Sequence, residues 1–325
     1  MKTLSALLEG KGNLSMVEKN LVIKEDEVLV KTFQASICDA DLRAYRGLNM
    51  PNDLPPFLYL GHEGGGTVIE AGSKVREFKR GDRVMLFGPH SSFSNYFVAN
   101  VKNLHKAPDD LNMKVASLGE PIAVGMYAVY EANVQLGDVV AVVGLNFQGL
   151  LAVQALKKRG ASKVIAIDYS DKHLEIARNT GADLTINTTK EDPLKRIKEY
   201  TDKELCDIGF HSCGYWNPRA EEYFNLTKEL TRDEGIMISV PDLMSPINAS
   251  LHRIHHHAIT IKFPALMHHS PAFREIWVPR LMKMVSRGKI DIAPLLTGVY
   301  KIGETPEAMK DFHENEDHVK IILEA

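Results

Sequence analysis

The chain lacks the features that mark secreted, membrane-spanning and nucleic-acid-binding proteins. Three cysteines in 325 residues are too few for a disulfide framework. No apolar run approaches the length of a membrane span, and the first residues lead into no apolar signal core. A net charge of −3 gives no reason to expect a nucleic acid or an anionic membrane as partner. These absences predict a cytoplasmic protein, and the length suffices for about two domains.

Candidate metal ligands are present in the first third of the chain. Cys38 follows an apolar strand-like run, and His62 and Glu63 precede three consecutive glycines. Glu120 lies in apolar sequence, where an unpaired charge is costly. Alone, such a cysteine is more often a small buried hydrophobe, and such a histidine a turn residue. Together, a thiol, an imidazole and a carboxylate are ligands of a catalytic zinc, which takes three protein ligands and leaves one position open.

A second motif follows an apolar strand that ends at Val143. Gly144 and Gly149 bracket a turn that opens a helix, which is the setting of the dinucleotide fingerprint with its pyrophosphate at the helix N-terminus. Asn146 replaces the middle glycine. Asparagine tolerates positive φ better than most residues, but its side chain is expected to crowd the phosphate. Asn146→Gly is therefore expected to tighten NAD binding.

The strand after this helix ends at Asp168. Its distance from the glycines is close to the interval of about 20 residues that the fingerprint requires. An acid at this place is expected to accept hydrogen bonds from the adenosine ribose and to favour NAD over NADP. Lys172 is close in sequence and would soften that preference. The alternative is a strand, turn and helix that bind no ligand, and the position of Asp168 disfavours it.

The order of predicted elements indicates an α/β protein with an additional β domain. Short β-type runs separated by turn residues predict a barrel-like β domain in the first third, with strands at Glu27–Ile37, Thr67–Ala71, Asp82–Phe87 and Asn95–Val98. From about residue 138, strands and helices alternate, which predicts a parallel, doubly wound sheet with Ile259–Phe263 as an edge strand. A helix is predicted at Phe273–Arg287, with a kink at Pro279.

On these residues the chain resembles the zinc-dependent medium-chain dehydrogenase/reductase family, nearest the polyol and threonine dehydrogenases. The resemblance spans nearly the whole chain. It rests on Ile37-Cys38, Asp41-Leu42, Tyr45-Arg46-Gly47, Gly61-His62-Glu63-Gly64-Gly65-Gly66-Thr67-Val68, Gly81-Asp82-Arg83-Val84, Glu120-Pro121, the strand ending at Gly144, and Gly288-Lys289-Ile290-Asp291 with Pro294-Leu295. It implies a GroES-like β-barrel catalytic domain formed by residues 1–123 and 266–325, with a Rossmann NAD-binding domain inserted at residues 124–265.

The resemblance also implies the chemistry of the site. One catalytic zinc would be held by Cys38, His62 and a carboxylate, since Glu63 and Glu120 both match family positions that bind zinc or its water. The implied activity is hydride transfer between NAD and a small secondary alcohol, polyol or amino alcohol, in a homodimer or homotetramer. The alternatives are a lyase or epimerase that uses NAD transiently, and a non-catalytic NAD-binding protein.

The sequence departs from the family pattern in two further places. No cysteines follow Gly81-Asp82-Arg83-Val84, so a second, structural zinc is not expected. Ala40 replaces the Ser or Thr that usually relays the proton. Two groups of histidines remain. His252, His255, His256 and His257 are expected to be packed or solvated, since no clear carboxylate or thiol partner adjoins them, whereas His268 and His269 lie near the segment where polyol dehydrogenases supply substrate-binding groups.

Overall fold

A computed structural model of the chain describes residues 1–48, 58–88, 91–202, 204–214, 217–241, 243, 246–264 and 276–325. The strands in these residues are β1 (Lys2–Leu8), β2 (Leu14–Asn20), β3 (Glu27–Ser36), β4 (Leu58–Tyr59), β5 (Glu63–Ala71), β6 (Arg83–Phe87), β7 (Tyr96–Asn100), β8 (Leu104–Lys106), β9 (Val139–Val143), β10 (Lys163–Asp168), β11 (Leu184–Asn187), β12 (Cys206–His211), β13 (Thr231–Ser239), β14 (Thr260–Lys262), β15 (Gly298–Lys301) and β16 (Ile321–Glu324). The helices are α1 (Asp39–Tyr45), α2 (Met113–Ala116), α3 (Gly119–Glu131), α4 (Phe147–Arg159), α5 (Asp171–Thr180), α6 (Pro193–Tyr200), α7 (Ala220–Leu230), α8 (His252–His256), α9 (Val278–Ser286) and α10 (Thr305–Glu314).

The contacts between residues divide the chain into two compact units. As far as they are described, residues 1–123, 268–289 and 296–325 form the first unit, and residues 124–267 and 290–295 form the second. By these contacts, residues 290–295 group with the second unit, whereas the sequence placed them in the returning segment of the first. None of the helices in the described ranges is both long and apolar enough to cross a lipid bilayer.

The first unit is built on a seven-stranded sheet in the described residues. Its order is β15-β16-β3-β5-β6-β8, and β7 pairs with β3. In the middle of β3, the exposed Lys31 and Phe33 alternate with the buried Thr32 and Gln34, as expected where one face of a strand packs on a core. The sequence predicted β3, β6 and β7 nearly to the residue. It missed the antiparallel hairpin of β1 and β2, and it began β5 four residues late, because glycines have low strand propensity.

The second unit contains the predicted doubly wound sheet. Its six strands are all parallel, in the order β11-β10-β9-β12-β13-β14. The strand order reverses between β9 and β12, which is where such sheets bind dinucleotides. Val140, Ala141, Val142 and Val143 of β9 are fully buried, as expected for a strand covered on both faces. Strand β14 lies at the edge, as predicted.

Two expectations concern the last part of the chain. The predicted kink at Pro279 is wrong, because α9 begins at Val278 and Pro279 lies in its first turn. A proline there removes no helical hydrogen bond. The start of the predicted helix at Phe273 lies outside the described residues, as do His268 and His269.

Candidate metal and cofactor sites

The fold brings three of the predicted zinc ligands together in the first unit. A sulfur of Cys38, a ring nitrogen of His62 and a carboxylate oxygen of Glu63 lie within 4.8 Å of one another. Cys38 precedes α1, just after β3, and Glu63 opens β5. Because β3 and β5 are antiparallel, the end of one strand lies beside the start of the other. Strand pairing therefore closes the long sequence gap between the thiol and the imidazole.

The glycines around His62 allow this close approach. Gly61 has φ +102°, and a Cβ there would lie 2.6 Å from Ser92 Oγ. A Cβ at Gly66 would lie 2.0 Å from the carbonyl oxygen of Lys31. Glycine is required at the first position by its backbone conformation as well as by the available space. Backbone therefore packs tightly against the glycine run beside His62 and Glu63.

Asp41 links the two halves of the cluster. Its carboxylate accepts hydrogen bonds from the backbone N–H of Cys38 at 2.9 Å and of Gly61 at 3.3 Å. The same side chain lies 3.5 Å from His62 Nδ1. A carboxylate on one ring nitrogen fixes the ring orientation and leaves the other nitrogen as the metal ligand. Sequence reasoning assigned Asp41 no role in the site beyond its place in the family pattern.

Glu63 has a buried counter-ion that sequence reasoning missed. Lys320 Nζ lies 2.8 and 3.1 Å from the two carboxylate oxygens of Glu63, and Ser36 donates a further hydrogen bond to it. Glu63 is 0% exposed and Lys320 is 3% exposed. Lys320 also donates to the carbonyl oxygen of Ile37. It stands one residue before β16, which pairs with β3, so tertiary pairing alone brings it to the cluster.

Glu120 lies in the first turn of α3 and is 5% exposed. Burial, with the negative charge of Glu63, raises the pKa of Glu120 to about 7. It does not belong to the group of three ligand atoms that lie within 4.8 Å. Of the two carboxylates that the sequence left unranked, Glu63 belongs to that group and Glu120 does not.

The pKa values of the neighbouring groups are shifted by burial and by the charges around them. Burial and Glu63 raise the pKa of the Cys38 thiol to about 12. Burial alone would lower the pKa of His62, but Asp41 and Cys38 raise it well above its ordinary value. Burial would likewise lower the pKa of Lys320, and Glu63 raises it. A divalent cation bound by these groups would deprotonate the thiol and leave the imidazole neutral. The donor set therefore fits zinc.

The dinucleotide fingerprint forms the predicted turn at the start of α4. Gly144 has φ +89°, and a Cβ at Gly149 would lie 2.2 Å from the carbonyl oxygen of Gly144. Only glycine fits this close contact between turn and helix. Asn146 has φ −66°, so its tolerance of positive φ is not used. Instead, its side chain caps α4 by accepting a hydrogen bond from the Gly149 N–H at 3.1 Å.

Asp168 ends β10 and is 3% exposed. Its carboxylate accepts hydrogen bonds from the backbone N–H groups of Leu145, Tyr169 and Ser170. Burial raises its pKa. These bonds join Asp168 to the fingerprint turn itself, a structural role that the sequence did not show. Lys172 is exposed in the first turn of α5.

The histidines of α8 form a packed surface group. The rings of His252 and His256 lie 4.2 Å apart, and His255 and His256 lie 5.0 Å apart. His257 Nδ1 lies 2.7 Å from Asp233 Oδ1, so the expectation that no carboxylate adjoins the group is wrong. Asp233 is distant in sequence and reaches His257 through the fold. In the described ranges these histidines form no cluster with metal-site geometry.

Known families match both units. The profile of the alcohol dehydrogenase GroES-like domain matches residues 24–130, and that of the zinc-binding dehydrogenases matches residues 149–281. A zinc-type alcohol dehydrogenase-like protein of Escherichia coli K12, YdjJ, is 31% identical over 66% of this chain and 71% of that protein. The sorbitol dehydrogenase of Bacillus subtilis is 28% identical over 89% of this chain and 87% of that enzyme.

A solved structure agrees with these matches. An oxidoreductase/dehydrogenase of unknown specificity from Escherichia coli, ECK1772, superposes with a TM-score of 0.86 at 26% identity, over 100% of this chain and 99% of that one. The fold and the site define a zinc-dependent medium-chain dehydrogenase/reductase, and the chain belongs to that family. It is a zinc- and NAD-dependent oxidoreductase that acts on alcohols.

Proposed function

We propose that this chain is a polyol dehydrogenase whose zinc is held by Cys38, His62 and Glu63. The observation that carries the proposal is the approach of these three ligand atoms to within 4.8 Å of one another. Glu63 is preferred over Glu120 because it belongs to that group. A polyol is preferred over other alcohols because the sorbitol dehydrogenase of Bacillus subtilis matches most of the chain.

When bound, zinc supplies Lewis-acid polarisation of the substrate oxygen and NAD accepts the hydride. Residues of the chain orient the metal ligands, balance their charge and accept the proton. Asp41 orients His62, and Lys320 compensates the charge of Glu63. Glu120, with a pKa of about 7, is suited to take up the proton that the alcohol loses. This assignment supplies a proton acceptor in place of the hydroxyl that Ala40 lacks.

We propose that Gly144, Asn146 and Gly149 form the pyrophosphate-binding turn and that Asp168 binds the adenosine ribose. Support comes from the contact distances at the glycines and from the place of the turn beside the switch point of the sheet. Lys172, which is exposed and close to this acid in sequence, moderates the preference for NAD.

The proposal extends to assembly and compartment. We expect a homodimer or homotetramer, since β14 pairs with one strand in the described residues and Phe263, just beyond it, is 57% exposed. An open strand edge favours pairing with a second chain. Light scattering on the purified protein would measure the assembly. The three free cysteines suit a reducing cytoplasm.

A panel of polyols, amino alcohols and simple secondary alcohols tests the activity. We expect NADH to form with at least one polyol, and the Cys38→Ser variant to form none with any substrate. If polyols are converted without net NADH, the reaction would be the transient oxidation of a lyase or epimerase. If no alcohol is converted and the purified chain holds no zinc, the catalytic proposal would be wrong.

A further inference from the structure

A pair of side chains ties the fingerprint turn to the neighbouring strand. Asn146 Oδ1 accepts a hydrogen bond from Ser212 Oγ at 2.6 Å, in addition to the bond from the Gly149 N–H. Ser212 is 1% exposed, and its backbone N–H donates to the carbonyl oxygen of Val143 at 2.9 Å. The amide oxygen of Asn146 therefore connects the fingerprint turn both to the start of α4 and to Ser212, the residue that follows β12. We call this Asn146–Ser212 contact the latch.

The latch lies at the switch point of the sheet. Strand β12 is the neighbour of β9 on the side away from β10, and Ser212 directly follows β12. Dinucleotides bind in the crevice at this reversal of strand order, outside the carboxyl ends of the strands. The latch therefore lies where sheets of this kind bind their dinucleotide.

The packing around Ser212 leaves the turn little freedom to shift. A Cβ at Gly144 would lie 2.8 Å from the carbonyl oxygen of Ser212. A Cβ at Gly149 would lie 3.3 Å from Ser212 Cβ. The backbone of the fingerprint turn is thus in close contact with Ser212. The Ser212 hydroxyl adds a hydrogen bond to that contact.

We propose that Asn146 and Ser212 are positioning residues that hold the pyrophosphate-binding turn in its binding shape before the cofactor arrives. This inference rests on the proposed function, because it assigns the latch to the cofactor of that reaction. A turn that is already ordered binds without the loss of entropy that ordering requires. Breaking the latch should therefore weaken NADH binding, by about three- to tenfold for one hydrogen bond. On this basis Asn146→Gly loosens NADH binding, opposite to the expectation from crowding alone.

The test measures the NADH dissociation constant of the zinc-loaded, full-length protein by fluorescence titration. Ser212→Ala and Asn146→Gly should each weaken binding, and the double variant should be no weaker than the weaker single variant, since both changes remove the same contact. In Ser212→Ala, which leaves the residues of the pyrophosphate-binding turn unchanged, the KM for NAD should rise while kcat stays close to the wild-type value. A purely structural role would lower the active fraction and leave KM unchanged.

Two further variants separate positioning from helix capping. Asn146→Asp keeps an oxygen acceptor for both hydrogen bonds and should keep the thermal stability of the cofactor-free protein. Its negative charge should still weaken NADH binding, because the pyrophosphate is an anion. Asp192→Ala removes a matched cap, on α6, whose side chain accepts from Leu194 N and Lys195 N. It should lower stability and leave NADH binding unchanged.

Hydrogen exchange of the Gly149 amide in the cofactor-free protein supplies a readout without activity. Exchange should be faster in Ser212→Ala and unchanged in Asn146→Asp. The latch would be refuted if Ser212→Ala bound NADH as the wild type does, or if Asn146→Gly bound it more tightly. A wild-type protein that binds no dinucleotide would refute the proposed function together with the cofactor role of the latch. That outcome differs from a failure of the latch alone, because the wild-type protein itself would then show no affinity for NADH.

Discussion

The candidate metal site and the proposed cofactor turn are built by opposite means. The candidate metal site gathers ionisable side chains that are buried or half-buried, with Cys38, His62 and Glu63 at its centre and Lys320 as counter-ion. The cofactor turn uses backbone groups and small residues, with Gly144 and Gly149 in close contact. Charged ligands must be paired or they destabilise the fold, whereas a backbone cradle needs space and a fixed shape. Substitutions in the first site should therefore act through charge, and those in the second through geometry.

The largest expected effect is that of Cys38→Ser. Loss of the thiol removes a zinc ligand, and turnover should fall by at least about a thousandfold. Elemental analysis should give close to one zinc per wild-type chain and far less in the variant. NADH binding should persist, because the fingerprint turn lies in the other unit. Two zincs per wild-type chain would contradict the single-site prediction.

Lys320→Met tests the charge balance of the metal site. It leaves Glu63 buried without its cation, which should lower the free energy of unfolding by about 3–5 kcal/mol. Denaturant titration would measure this, and adding Glu63→Gln should restore part of the loss. Lys301→Met is the matched control, since Lys301 forms an exposed ion pair with Glu324. It should cost no more than about 1 kcal/mol.

Glu120→Gln tests the proton acceptor and should lower turnover about tenfold or more. The zinc-free protein should also show a change in pH dependence. Because the pKa of Glu120 is raised from 4.5 to about 7 in the folded chain, the folded state holds a proton that the unfolded state has released. Stability should therefore fall as pH rises from about 4.5 to about 7. Thermal melts should show this fall in the wild type and a flatter profile in the variant.

The preference for NAD over NADP tests the ribose end of the cofactor site. We expect kcat/KM to be at least about tenfold higher with NAD, since Asp168 would face the 2′-phosphate with like charge. Lys172→Ala should increase this ratio by removing a nearby positive charge. Equal efficiency with both cofactors would show that Asp168 serves only to hold the turn through Leu145 and its neighbours.

Ala40→Ser should have the smallest effect. It restores the hydroxyl of the usual relay, but turnover should change by less than about threefold if Glu120 already receives the proton. Steady-state assays beside Glu120→Gln make the comparison direct. A large gain in Ala40→Ser with wild-type turnover in Glu120→Gln would contradict the proposed proton path.

Local sequence was sufficient for most elements of the second unit. An apolar strand, a glycine turn and a helix follow one another within a short segment, so propensity and tertiary structure agree there. The first unit was harder to predict. Its strands pair over long sequence separations, and Glu63 to Gly66 form a strand because glycine fits between neighbouring backbones and not because glycine prefers strands.

The sequence by itself determined the family, the two kinds of site and the residue types in them. Glycines, a thiol and carboxylates stand at characteristic spacings along the chain, and such spacings can be recognised without the fold. Only the tertiary structure decided how those residues are used. It placed Lys320 on Glu63 across 257 residues and joined Ser212 to Asn146 across 66. Both contacts depend on strands that meet only in the folded sheet, so no local pattern could indicate them.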